Sequence, residues 1–160
     1  MDDRFELEMV CSRLDVSLPE AATLGLLTYV NLLRKWQPAQ NLVGPSTLDE
    51  IWTRHVADSL QVLPILERCL SESIQGVDEL VRLVDLGSGA GLPGVVVAAA
   101  LGPRLGEATL VESNGRKAAF LRAVSRETGI PITVRQARIE DVENDALPRA
   151  DILTALKPEP

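Results

Sequence analysis

Histidine occurs once in this chain, at His55, and cysteine twice, at Cys11 and Cys69. Zinc sites need several Cys or His ligands at short spacing, and disulfide frameworks need more cysteines than two, so neither has support. The two thiols read as small buried hydrophobes. No Ser-His-Asp arrangement and no catalytic pair of carboxylates stands out, which counts against hydrolases. The start, Met1-Asp2-Asp3-Arg4, lacks the layout of a signal peptide, and the longest apolar run, Val95 to Leu101, is far too short to span a bilayer. A soluble, cytoplasmic protein with no membrane partner is expected. There is no internal repeat and no low-complexity segment.

Excess positive charge is missing as well. With 16 Lys and Arg against 23 Asp and Glu the formal net charge is −7, which argues against unselective binding of nucleic acid, where many cations displace counterions from phosphates. A nucleic-acid substrate then requires local clustering. Arg34-Lys35, Arg116-Lys117, Arg122, Arg126, Arg135 and Arg138 are the candidates, and solvated helix faces are the plainer account of them. The 160 residues, 46% of them hydrophobic, suffice for one compact core.

Two textures divide the chain. Residues 1–75 read as a helical segment. Leu24, Leu27, Val30, Leu32, Leu33 and Trp36 recur near helical spacing, and Pro38 is expected to end the run. Ser46 with Asp49 resembles a capping box, after which Leu48, Ile51, Trp52, His55, Val56, Ser59, Leu60 and Leu63 fall on one stripe. Glu50 and Arg54 can pair on the outer face. His55 on that stripe reads first as a hydrogen-bonded core histidine.

Residues 76–160 alternate strand and helix. Leu80 to Asp85 is a short β-rich run, Gly94 to Leu101 an apolar helix, and Ala108 to Glu112 a second strand. Ser113 or Asn114 caps a helix through Thr128 that closes at Gly129 before Pro131. Ile132 to Arg135 is a third strand, Ile139 to Val142 starts a short helix, and Asp151 to Leu156 is a fourth strand. The fold class is therefore α/β: an incomplete Rossmann-like sheet of about four parallel strands, in the order third-second-first-fourth, with a helical segment before it.

The turn after the first strand reads Asp85-Leu86-Gly87-Ser88-Gly89-Ala90-Gly91-Leu92-Pro93-Gly94. In open α/β sheets ligands sit beyond the carboxyl ends of the strands, where a helix N-terminus presents free N–H groups. Glycine allows positive φ and close approach of a ligand to the backbone, and Pro93 suits the first turn of the helix. From Gly89 the segment fits Gly-x-Gly-x-x-Gly, the dinucleotide fingerprint; from Asp85 it fits Asp-x-Gly-x-Gly-x-Gly, the form used for S-adenosylmethionine. The second register fits better, since Asp85 would repel a pyrophosphate but can accept a hydrogen bond from an ammonium, directly or through water. Glu112, ending the second strand, can accept from ribose hydroxyls, a feature both cofactors share.

Four segments in order resemble one family: Arg34 to Val43 (Arg-Lys-Trp-Gln-Pro-Ala-Gln-Asn-Leu-Val), Arg54 to Leu60 (Arg-His-Val-Ala-Asp-Ser-Leu), Val84 to Gly94, and Glu112 to Arg122 (Glu-Ser-Asn-Gly-Arg-Lys-Ala-Ala-Phe-Leu-Arg). They are similar to the glucose-inhibited division protein B family, the ribosomal small subunit methyltransferase G group, from about Tyr29 to Thr154. The resemblance implies methylation of guanine N7 in small-subunit (16S) ribosomal RNA with S-adenosylmethionine as donor, and hence the small ribosomal subunit or its RNA as partner. By the same resemblance the cofactor pocket falls on Gly87 and Leu92, with Gly89 and Gly91 shaping it, Glu112 for the ribose and Ile139-Glu140 against the adenine; Asp85 joins them from its place at the strand end. Helix-start stabilisation is an equal account of Glu140. The Arg-His-x-x-Asp-Ser segment lies toward the cofactor side in the family, and Asp58 and Ser59 read as architectural. No catalytic residue is assigned.

The resemblance breaks at the end. The family carries a pocket arginine after the fourth strand, where this sequence reads Thr154-Ala155-Leu156-Lys157-Pro158-Glu159-Pro160, and lysine is a poor replacement for a planar bidentate donor. A C-terminally truncated relative is expected, one that holds cofactor while transfer is slowed or lost. Its fourth strand would be an exposed edge, offered to another copy of the chain or to aggregation. Two other readings remain: a noncatalytic nucleoside-binding remnant, and an NAD-dependent oxidoreductase using the Gly89-Gly91-Gly94 register.

Overall fold

A computed structural model of the chain describes residues 2–73, 80–142 and 147–155. Four α-helices come first: α1 (Asp3–Leu14), α2 (Glu20–Gln40), α3 (Ala57–Leu60) and α4 (Leu63–Ser73). Then β1 (Val81–Leu86), α5 (Gly94–Leu101), β2 (Leu105–Val111), α6 (Gly115–Thr128), β3 (Ile132–Arg135) and β4 (Ile152–Ala155) follow. The four strands form one parallel sheet in the order β3-β2-β1-β4. This is the α/β, Rossmann-like arrangement expected from the alternation of strand and helix. Leu156 lies outside the described residues.

Local chemistry sets most of these boundaries. Asn114 caps α6 by accepting from the main-chain N–H groups of Arg116 and Lys117 at 2.9 and 3.2 Å. The same helix stops at Gly129, whose φ of +71° is open to glycine. α5 is buried on nearly every face, Val95, Val96, Val97 and Ala98 among its sealed residues, as its unbroken apolar sequence requires.

The helical half departs more from its sequence pattern. α2 runs through Pro38 to Gln40 and ends at Asn41 in the left-handed region. Proline removes one N–H in the final turn, and the Gln37 side chain takes over the job of ending the helix. Its Oε1 accepts from the N–H groups of Leu42 (2.8 Å) and Val43 (3.0 Å), and its Nε2 donates to the Val43 carbonyl (2.7 Å). Ser46 caps no α-helix. Pro45–Thr47 is a 3-10 turn and Ile51–Val56 a π-helix that leads into α3. The wider π turn places Ile51, Trp52 and Val56 all in the core, and such turns are common near functional sites. The Glu50–Arg54 pair forms on its outer side, at 3.4 Å.

Cys11 is half-buried, but Cys69 is exposed, contrary to the expectation that both are buried. On α4 the inward stripe is Leu63, Leu66 and Leu70, and Cys69 lies off it. Leu24, counted on the apolar stripe of α2, is 52% exposed, whereas Leu26, Tyr29, Val30 and Leu33 are sealed. One continuous core joins Leu7 and Val10 of α1 to Ile152 of β4. No described helix is long and apolar enough to cross a membrane.

Asp3 fastens the N-terminal helices to one another. Its Oδ1 accepts from Trp52 Nε1 at 2.8 Å and its Oδ2 from Arg34 Nη1 at 2.5 Å, so one carboxylate joins α1, α2 and the π turn. The Arg34 guanidinium, helped by Trp52, holds this carboxyl below its ordinary value despite its partial burial. The folded state therefore favours the ionised form. Its stabilisation is complete above the ordinary carboxylate value and fades as pH falls through the folded-state value. Asp3→Asn is expected to cost about 1 to 3 kcal/mol at pH 7. Urea titrations of both proteins should show the difference shrinking as pH is lowered past the ordinary carboxylate range.

Candidate functional site

The carboxyl ends of β1, β2 and β3 open onto a cleft of about 430 Å³ whose lining includes Gly87, Ser113, Asn114, Arg138, Ile139 and Glu140. Its position follows from the topology, since each strand of a parallel sheet delivers its following turn to the same edge. Of the eight residues expected at a cofactor pocket, Gly87, Ile139 and Glu140 line this cleft. Asp85, Gly91, Leu92 and Glu112 are buried, and Gly89, half-buried, is bonded to Glu112.

The glycine turn is held at several points. Gly87 and Ser88 donate their N–H groups to the Val111 carbonyl at 2.9 and 3.0 Å, which hangs the turn on the end of β2. Gly91 N–H donates to the Ser88 carbonyl at 2.6 Å, and Val95 N–H to the Gly91 carbonyl at 2.7 Å, joining the turn to α5. Gly87, Gly89 and Gly91 have φ of +70°, +56° and +94°, a region that costs other residues about 1 kcal/mol or more. A Cβ on Gly87 would lie 3.6 Å from Ile139 Cδ1, so its absence keeps the mouth of the cleft wide. Ile139 itself is 48% exposed there.

Glu112 couples the turn to the second strand. Its Oε2 accepts from Gly89 N–H at 2.6 Å and its Oε1 from Asn114 N–H at 2.7 Å. Both oxygens thus serve the protein, and a carboxylate held by two N–H groups keeps lone pairs for further donors. Glu140 is largely exposed and pairs with Arg138 at 3.7 Å. Ile139–Asp141 is a single 3-10 turn.

Asp85 lies fully buried under the turn. Its Oδ1 accepts from Thr154 Oγ1 of β4 at 2.7 Å, while its Oδ2 is buried without a hydrogen-bond partner. Burial pushes this carboxyl up, against the opposing pull of Thr154, of the nearby Ser88 hydroxyl and of the Gly94 N–H, which faces it without forming a well-aligned bond. The nearby Glu112 adds to the rise. The folded state then holds the proton more tightly than the unfolded chain, so stability declines as pH rises through the interval between the two values. Asp85→Asn is expected to flatten that decline in melting temperatures measured from pH 4 to 8; an unchanged slope would contradict it.

His55 sits outside the cleft lining. It is half-buried on the π turn, with Nε2 2.8 Å from Thr47 Oγ1, and burial lowers its pKa, with Arg54 adding to the effect. Ser59 donates to the His55 carbonyl at 2.8 Å, and Asp58, exposed, accepts from Gln61 at 3.2 Å. Two residues that support the site were not singled out from the sequence. Thr154 reaches Asp85, and Tyr29 of α2 donates its hydroxyl to the Ala90 carbonyl at 2.9 Å. Tyr29 is the one tyrosine of the chain, which is the signal that could have drawn notice.

Gly94 has no room for a side chain. A Cβ there would lie 2.8 Å from the Asp85 Cβ and Cγ and closer still to Oδ2, whereas one on Gly89 would meet only the Gly87 carbonyl oxygen, at 3.9 Å. Gly94→Ala should therefore lose about 1 to 3 kcal/mol more than Gly89→Ala, as read from paired denaturant titrations. Equal losses would show that the contact with Asp85 costs no more than the positive φ of Gly89.

A family model described as rRNA small subunit methyltransferase G matches residues 23–155. Among curated proteins, a ribosomal RNA small subunit methyltransferase G of Methylorubrum extorquens is 49% identical over 134 residues, 83% of this chain and 57% of its own length. The protein of that name from Rhodospirillum centenum is 50% identical over 130 residues, 81% of this chain and 53% of its own. One from Rhodopseudomonas palustris is 45% identical over 141 residues, 88% and 58%. The chain thus spans somewhat more than half the length of the relatives it matches.

Proposed function

Because the chain belongs to the rRNA small subunit methyltransferase G family, we propose that it binds S-adenosylmethionine in the cleft beside Gly87 and methylates guanine N7 in small-subunit ribosomal RNA. The observation that carries this reading is the placement of a 430 Å³ cleft between the glycine turn and Ile139-Glu140, at the carboxyl ends of three parallel strands.

The residues present fit a nucleoside of this kind. Gly87, with no side chain, and the exposed apolar Ile139 leave space for a flat base. Glu112 offers a carboxylate to ribose hydroxyls next to the Gly89 N–H. Asp85 keeps one buried oxygen free of partners below the turn, and an ammonium brought near would favour the ionised form that burial opposes, whereas a pyrophosphate would oppose it further. When bound, S-adenosylmethionine supplies a sulfonium methyl that the in-plane lone pair of guanine N7 takes as the carbon–sulfur bond breaks. That nucleophile has no proton to lose, so the protein's contribution is positioning and no general base is required.

Charge in the stretch of chain that follows the second strand suits an RNA partner. From Ser113 to Arg138 the chain carries Arg116, Lys117, Arg122, Arg126, Arg135 and Arg138 against the single acidic residue Glu127, a local excess of cations within a chain of net charge −7. Arg138 also lines the cleft, so phosphate contacts would adjoin the bound cofactor.

Calorimetry with S-adenosylhomocysteine and with NAD, followed by transfer of labelled methyl to undermethylated small ribosomal subunits, tests the proposal. Preference for the former ligand and label at guanine N7 are expected. Tighter binding of NAD, or label on no RNA, would reject it. Gly87→Ala should weaken binding of S-adenosylhomocysteine about tenfold or more, through its positive φ and its approach to Ile139.

A further inference from the structure

Two side chains hydrogen-bond the main chain of residues 87–93 among the described residues. Glu112 accepts from Gly89 on the cleft side, and Tyr29 donates to Ala90 from the helical side. Ala90 stands between Gly89 and Gly91, both at positive φ. Within the turn the Ala90–Gly91 peptide is held at one end only, by the Gly91 N–H on the Ser88 carbonyl at 2.6 Å, and with glycine on each side of Ala90 its carbonyl end is fixed by Tyr29 from outside the turn. From the geometry we infer that the Tyr29 hydroxyl is a positioning residue for the cofactor cleft, fixing the glycine turn through the Ala90 carbonyl. This inference rests on the cofactor reading above.

Several features of Tyr29 suit that task. It is fully buried, so its hydroxyl meets no competing water. Burial pushes its pKa far up, which keeps the donor proton in place. The ring is itself braced: Phe120 of α6 lies 6.3 Å away between centroids at 45°, and Trp36 of α2 meets Phe120 at 5.8 Å and 61°. Three of the five aromatic residues in the chain are thus gathered behind one hydroxyl. Tilted and edge-on ring pairs of this kind add to what burial alone contributes.

The division of labour with Glu112 gives the contact its importance. The cofactor reading asks Glu112 to accept from ribose hydroxyls, the same carboxylate that now holds Gly89. Tyr29 has no such second duty, and it holds the turn whether or not Glu112 is engaged. Through it, α2 belongs to the cofactor site although it contributes none of the residues that line the cleft.

The test is Tyr29→Phe in the full chain, which keeps the ring and removes only the donor. In the ligand-free protein, amide hydrogen exchange at Gly89 and Gly91 should quicken about tenfold, beyond any change in α5. Affinity for S-adenosylhomocysteine should fall about tenfold, as expected when a buried acceptor is left unpaired. Leu70→Ala on α4, distant in sequence from the turn, serves as a variant destabilised elsewhere. Equal loss of affinity in Leu70→Ala would make Tyr29 merely structural and overturn the inference, as would unchanged exchange or unchanged affinity in Tyr29→Phe. If the parent protein binds no S-adenosylhomocysteine, the cofactor reading fails by itself and the exchange rates alone decide whether Tyr29 sets the turn. Should Tyr29→Phe not fold, Phe120→Leu, which keeps the hydroxyl but loosens its brace, is held to the same two readouts.

Discussion

Helix α5 can start directly over the end of β1 because position 94 has no side chain. The backbone of Gly94 is pressed against the Asp85 carboxyl, with no room for even one carbon between them. That approach puts the first turn of a helix on a buried acid, and the partial positive charge of a helix start favours a carboxylate. It also fixes the path of the turn, since residues 87–93 must connect two points that cannot move apart or together. The cleft at the strand ends has its shape from this constraint.

Around that contact the protein arranges opposing effects. Burial acts against charge on Asp85, while Thr154, Ser88 and Gly94 act for it. One oxygen is satisfied and the other is not, so the group is held under electrostatic tension that a nearby cation would relieve. The glycines above it allow the left-handed path but supply no rigidity. Rigidity comes from the Gly91 N–H on the Ser88 carbonyl within the turn and, from outside it, from Val111 on β2, Glu112 and Tyr29. The site is thus assembled from the sheet and from the N-terminal helices together.

What the sequence made legible was chemistry written within a few residues. Gly94–Leu101 was read to the residue because an apolar run followed a glycine turn, and α6 ended where Gly129 permits positive φ. The glycine turn, Glu112 and the sheet order were readable for the same reason. The stretch around Ile51–Val56 was not, since a π turn is chosen by what the core requires of Ile51, Trp52 and Val56 together, and the local pattern fits an α-helix equally well. The stop expected at Pro38 comes instead at Asn41, whose left-handed backbone and the Gln37 bonds to Leu42 and Val43 end the helix, a device that depends on residues beyond the proline. Tyr29 and Thr154 could not be found by any local rule, since their partners lie 61 and 69 residues away.

The bond from Thr154 to Asp85 closes the longest loop among the contacts that build the site. A chain is made from its N-terminus onward, so every glycine of the turn, α5, and even Glu112 exist before Thr154 does. During that interval the sheet can consist of β3, β2 and β1 alone, and β1 has an open flank with an acid at its end. β4, made after the other described strands, thus supplies the hydroxyl that completes the floor under the turn, so the carboxyl at the end of β1 gains its side-chain donor from the part of the site that emerges latest.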